Sequence, residues 1–161
     1  MIEVQELEAF ARKCEAAAAD LKPYMGDMLD KIGEEFLKLV QQSIRAKGNV
    51  DFGKLLASFQ KGGAGNIYQL DAGALTLTVG SSIDYAEYVN KGHRQTPGRF
   101  VPGVWEGSHF RYVPGAKTGM VLKASHVKGS GFFDVAERAA ENTLETYAER
   151  AFNQFWARYF G

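Results

Sequence analysis

Apolar residues near the start of the chain recur at helical steps. Leu7, Phe10, Cys14, Ala17 and Leu21 succeed one another at three- and four-residue intervals, the mark of a helix with one apolar face. The pattern predicts a first helix over about Glu3–Ala19. Pro23 then reads as a break, because proline lacks an N–H and disfavours helix at the residue before it. A second, longer helix is predicted over Tyr24–Ala46. There Met25, Met28, Leu29, Ile32, Phe36, Leu39, Val40 and Ile44 keep the same period. Arg45 and Lys47 suit the negative end of its dipole, and Gly48 is a natural left-handed cap.

From Asp51 the period changes. Asn66–Asp71 reads as a strand, and Leu75-Thr-Leu-Thr-Val79 alternates as a half-buried strand should. Asp71-Ala-Gly-Ala between them carries turn chemistry, so an antiparallel hairpin is expected. Leu55–Lys61 is expected to add a strand, joined through Gly62-Gly-Ala-Gly65. Tyr85–Lys91 predicts a short helix, with Tyr85, Tyr88 and Val89 on one face. Phe110–Val113 and Met120–Leu122 are weaker strand candidates, and a second hairpin is expected within Gly107–Gly119. The last element is a helix whose stripe runs Phe133, Ala136, Ala140, Leu144, Tyr147, Ala151, Phe155. Ser130 is a candidate N-cap for it, and Asp134 suits its first turn.

The predicted fold class is α+β: a small antiparallel sheet packed with two N-terminal helices and one long C-terminal helix, plus an irregular basic loop arm. One domain of 161 residues is expected. Its parts are a helical segment 1–48, sheet and short helix 50–91, arm 92–131 and final helix 132–161.

Composition adds little until charge is read by position. The net charge is zero. Between Gly92 and Gly131, however, Arg94, Arg99, Arg111, Lys117, Lys123 and Lys128 face the single acid Glu106, which leaves the arm at +5 and the remainder at −5. Such segregation speaks of partners rather than fold. No apolar run approaches a membrane span, so no membrane partner is expected. The acidic start does not resemble the basic n-region of a signal peptide, and a lone Cys14 suits a reducing compartment, so a cytosolic product is expected.

Catalytic chemistry finds no footing. His93, His109 and His126 lie too far apart for short zinc-ligand spacings, and Cys14 on an apolar stripe reads as a packed thiol. Lys61-Gly-Gly-Ala-Gly-Asn66 lacks the ending of a phosphate-binding P-loop. No catalytic, metal or cofactor-binding residue is assigned, and no cofactor is expected. Cations interleaved with Phe100, Trp105, Phe110 and Tyr112 could track a nucleic-acid backbone, although the neutral overall charge argues against a dedicated binder. Phe152, Phe155, Trp156, Tyr159 and Phe160 cover more than one narrow stripe, which points to self-association.

Val79-Gly-Ser-Ser-Ile-Asp-Tyr-Ala-Glu-Tyr-Val-Asn-Lys-Gly-His-Arg94, continuing into Gln-Thr-Pro-Gly-Arg-Phe-Val-Pro102, resembles the tail-component family of tailed phages called HK-ninety-seven gene-product-ten-like. Val50-Asp-Phe-Gly-Lys-Leu55 with Ser58, and Val127-Lys-Gly-Ser-Gly-Phe-Phe133, are similar to the family's turn before the sheet and its entry to a final helix. Phe52 stands where Thr is usual and Asn49 where Pro is common. The similarity spans about Val50–Ala140. It implies a non-enzymatic virion protein of the neck, assembled in the host cytoplasm, that completes the tail or joins it to the head. It further implies a homo-oligomeric ring, a hexamer or another cyclic form, touching tail tube, terminator or head-connector proteins, with non-specific contact to DNA in the channel left open. A tail terminator or a small DNA-binding protein are the alternatives. Tyr85, Tyr88, His93, Arg94, Arg99, Phe100, Arg111, Phe155 and Trp156 are the expected assembly-interface residues.

Overall fold

The computed structural model describes residues 4–48 and 53–161. The expected helix start at Glu3 and the Asn49–Phe52 turn lie outside the described residues. The class is α+β, as expected. The chain falls into two compact units: residues up to Ala86 together with Phe132–Gly161, and residues 87–131.

The first unit opens on α1, Val4–Ala46, a single helix of 43 residues with Pro23 inside it. At 1.5 Å per residue it is about 65 Å long. The expected break at Pro23 does not occur, and the reason is tertiary. The final helix α4, Phe132–Phe160, runs antiparallel alongside and packs on both sides of Pro23. Phe10 meets Phe160 at 5.9 Å between ring centroids, and Tyr24 meets Phe155 at 5.0 Å. The Tyr24 hydroxyl also donates to the Ala151 carbonyl at 2.8 Å. One missing backbone hydrogen bond is outweighed by contacts that exist only if the helix continues. At the far end Gly48 takes φ 69°, the left-handed conformation expected of it.

The strand expected over Leu55–Lys61 is instead α2, Gly53–Ser58, leading into turns. Leu55, Ser58 and Phe59 are all buried, a helical spacing rather than an alternation. The glycine-rich link is closed by Asn66, whose amide donates to the Ser58 carbonyl at 2.9 Å. The expected hairpin forms from β1, Asn66–Asp71, and β2, Thr76–Ser81, in antiparallel register. Asp71 Oδ1 accepts from the Gly73 and Ala74 amides and shapes its turn.

The hairpin lies on α1 at Gly33. A Cβ there would sit 2.4 Å from Leu77 Cδ2 and 2.6 Å from the Tyr68 hydroxyl. Beside this notch the Tyr68 hydroxyl donates to Asp30, and Lys61 Nζ reaches Asp30 at 2.7 Å and Glu34 at 2.9 Å. Hydrogen bonds from Lys61 and Tyr68 lower the Asp30 pKa. Hydrogen bonds to Asp30 and Glu34 raise that of Lys61. Burial, then the Asp30 hydrogen bond, pushes the Tyr68 phenol up to about 12. The core of this unit gathers Val40, Ile44, Leu55, Phe59 and Phe132.

The second unit begins within α3, Ala86–Lys91, close to the predicted helix. Residues 92–131 do not form the irregular arm that was expected. They contain β3 (Gly92–Arg94), β4 (Phe100–Glu106), β5 (His109–Tyr112), β6 (Gly119–Val121) and β7 (His126–Lys128). β3 pairs with β7, and β4 is the centre of a three-stranded antiparallel sheet between β5 and β6. The second hairpin is therefore β4–β5, turning at Gly107, not a Gly107–Gly119 unit. β4 is hidden in the sequence because Pro102 and Gly103 read as loop punctuation. Pro102 fits because only its carbonyl is used, accepting from Val113, while the neighbouring Gly103 amide donates to Thr118.

Candidate functional site

Most of the expected interface residues fall on two surfaces, one in each unit. In residues 87–131 the entering and leaving segments are zipped together. His93 lies opposite Val127 and Arg94 opposite His126, while the Ser130 and Gly131 amides donate to the Val89 and Asn90 carbonyls. Gly92 makes this possible. Its φ is 84°, and a Cβ would meet the Val127 carbonyl at 2.3 Å. Tyr88 is 56% exposed and its ring packs against His93 at 5.7 Å.

The three-stranded sheet has two unlike faces, set by strand alternation. One carries Phe100 and Val121 at one end and the Arg111–Glu106 ion pair, at 2.6 Å, at the other. The opposite face carries Val101, Met120, Trp105, Phe110 and Tyr112 around Gly103 and holds no charged residue. Trp105 and Phe110 meet edge to face at 5.3 Å, yet Trp105 remains 57% and Tyr112 60% exposed.

Arg111 thus has a partner inside the unit, which the sequence did not reveal. Among the described residues no ion pair engages Arg94, Arg99, Lys117, Lys123 or Lys128. Nor does any group of three or more His, Cys, Asp or Glu among them stand close enough to hold a metal ion. The unit carries cations without ion-pair partners as well as half-exposed aromatic rings, a chemistry of docking.

The second surface is the helical end of the larger unit. Here sequence reasoning misplaced two residues. Phe155 was expected at an interface, but it is 5% exposed and packs between Tyr24 and Tyr159. Cys14 was expected to be packed, but it is exposed. Trp156 is 53% exposed. Its ring joins an aromatic run from Phe152 through Phe160 to Phe10. Phe152 also lines an apolar groove of about 320 Å³ with Leu21, Met25, Met28 and Ala148. Tyr85, the remaining expected residue, is half-buried just ahead of α3.

No helix among the described residues is long and apolar enough to cross a membrane. Comparison with known proteins agrees with the motif resemblance. Residues 8–92 match the family model described as "Bacteriophage HK97-gp10, putative tail-component". That match reaches from α1 to Gly92, further upstream than the motifs and short of the sheets beyond it. An uncharacterized Bacillus subtilis (strain 168) protein, YqbI, is 38% identical over 162 residues, covering 96% of this chain and 97% of that protein. The phage-like element PBSX protein XkdI of the same strain is 36% identical over 143 residues, covering 88% of this chain and 89% of XkdI. No solved structure matches significantly. The chain belongs to the HK97-gp10-like family of structural bacteriophage tail components.

Proposed function

We propose that this chain is a neck subunit of a phage or phage-derived particle, completing the tail or joining it to the head as one member of a homo-oligomeric ring. The observation that carries the reading is the uncovered aromatic face of the β4 sheet, in a unit of charge +5. An apolar sheet face left in water is costly, and on a tail component the natural cover is another particle protein. The positive charge of that unit would steer the encounter towards an acidic neighbour. The name of XkdI, a phage-like element protein, supports a prophage-type parent particle. Within this reading Tyr88, His93, Arg94, Arg99 and Phe100 contact neighbouring subunits or the tail tube, terminator or head connector. A terminator capping the tail tube is the variant nearest to it.

The test is native mass measurement of the purified chain, alone and mixed with tube and connector proteins of its own particle. A cyclic oligomer or a stoichiometric complex is expected, weakened by Trp105→Ser with Tyr112→Ser. A strictly monomeric species in every mixture would falsify the reading. One observation favours a rival of another class: exposed Phe100, Trp105 and Tyr112, in a unit that also carries unpaired cations, could stack bases. Tight single-stranded DNA binding that falls steeply with salt would favour that rival.

A further inference from the structure

α1 carries a heptad pattern that borders its contact with α4 and shares with it the groove at Leu21, Met25 and Met28. Leu7, Cys14, Leu21 and Met28 recur every seven residues, and Val4, Ala11, Ala18 and Met25 fall between them at the alternate three- and four-residue steps. This is a heptad seam with a period of 3.5 over more than three heptads, the pattern by which a helix receives another helix. Along it Val4 is 73%, Leu7 61% and Leu21 39% exposed, Ala11, Cys14 and Ala18 are exposed as well, and Met25 and Met28 are half-buried in the groove beside α4. Small residues at mid-seam allow close approach of a second backbone.

We infer that this seam packs against the same seam of a second copy, antiparallel, across a two-fold axis. The flanks of the seam decide both partner and direction. On one flank Phe10, Ala17 and Tyr24 are already occupied by α4 or buried. The other flank is free and carries Glu8, Glu15 and Lys22. A parallel copy would bring an open flank against one blocked by α4. An antiparallel copy brings open flank to open flank and α4 to α4. Glu8 and Lys22 lie seven residues either side of Glu15, so each then faces its opposite charge on the partner. The register that pairs them sets Val4 against Met28, Leu7 against Met25, Ala11 against Leu21 and Cys14 against Ala18. It also brings the exposed Phe152 and Trp156 of both copies to one side, completing a four-helix arrangement. The register carries one defect, Glu15 facing its own copy near the axis.

This two-fold contact differs in geometry from the head-to-tail contacts that close a ring, and it does not depend on the ring. The full chain is to be studied by sedimentation equilibrium over a concentration series, with oxidative cross-linking alongside. Expected are a monomer–dimer equilibrium and dimerisation at least about tenfold weaker in Leu7→Glu, a change equivalent to about 1.4 kcal/mol. Leu7 is exposed, so the melting curve of the monomer should not move. Glu15→Gln should tighten the dimer. Ala18→Cys should yield a disulfide-linked dimer through Cys14, under oxidation that leaves the wild type uncrosslinked. A monomer at all concentrations, a dimer indifferent to Leu7→Glu, or wild-type cross-linking equal to that of Ala18→Cys overturns the seam. A ring that still assembles from Leu7→Glu protein, with no dimer in the wild type, sinks this inference and leaves the neck-subunit reading standing.

Discussion

In the larger unit Val40, Ile44, Leu55 and Phe132 are almost inaccessible to water. In residues 87–131 only Asn90 and Gly103 are buried, while Phe100, Trp105 and Tyr112 stand half or more in solvent. The two regions draw on similar residue types. The difference lies in geometry. Long helices bring many apolar positions onto one shared seam, whereas a sheet of two or three short strands has two faces and nothing of its own to cover either. The small unit is therefore held chiefly by backbone ladders, by the zipped β3–β7 pair and by the approaches its glycines permit. Its aromatic side chains are left half or more in water. The larger unit repeats the contrast within α1, where the half after Pro23 supplies core and the half before it is exposed except at Ala17.

The sharpest way to break this contrast is to truncate one aromatic on each side. Phe132→Ala removes a side chain that is 1% exposed and should cost about 3–5 kcal/mol in urea denaturation. Trp105→Ala should cost about 0.5 kcal/mol or less, because its ring is already more than half in water. Comparable losses would mean that the sheet face is covered within the free subunit. Next in size is Gly33→Ala. The added methyl collides with Leu77 and Tyr68, and a loss of about 1–3 kcal/mol is expected by thermal melting.

A smaller effect should come from the Lys61–Asp30–Tyr68 cluster, and the pKa directions set its sign. Lys61 and Tyr68 have raised values, so their contribution is complete below their ordinary values of 10.5 and 10.0. It is lost as pH rises, for Tyr68 between about 10 and 12. Asp30 is lowered, so its contribution is present above 3.8 and fades as pH falls through its folded value. Melting temperature measured against pH should decline at the alkaline end. Tyr68→Phe should flatten that decline, and an unchanged slope would mean that the cluster contributes nothing there. At neutral pH the ion pairs themselves contribute little, because they are exposed.

Much of the fold is legible in the sequence. The hairpin around Asp71, the short helix before Gly92, the final helix and the segregation of charge all come from local periodicity and residue counts. The candidate site is legible only in part. Tyr88, Arg94, Arg99, Phe100 and Trp156 are exposed, whereas Phe155 is core and Arg111 is tied to Glu106. Phe155 and Trp156 are neighbours on one helix, and periodicity does not say which of two adjacent faces a second helix will cover. The Lys61–Asp30 pair joins residues 31 apart, so no local pattern announces it.

By itself the sequence determined where the chain is apolar, where it turns and where its charge collects. These depend on a residue and its near neighbours. Only the tertiary structure decided that α1 runs through Pro23, that Leu55–Ser58 is helix, that Phe-Val-Pro-Gly-Val is strand and which aromatics remain in water. Each of those outcomes depends on contacts between segments far apart in sequence, and such contacts outweigh local preference once both sides are in place.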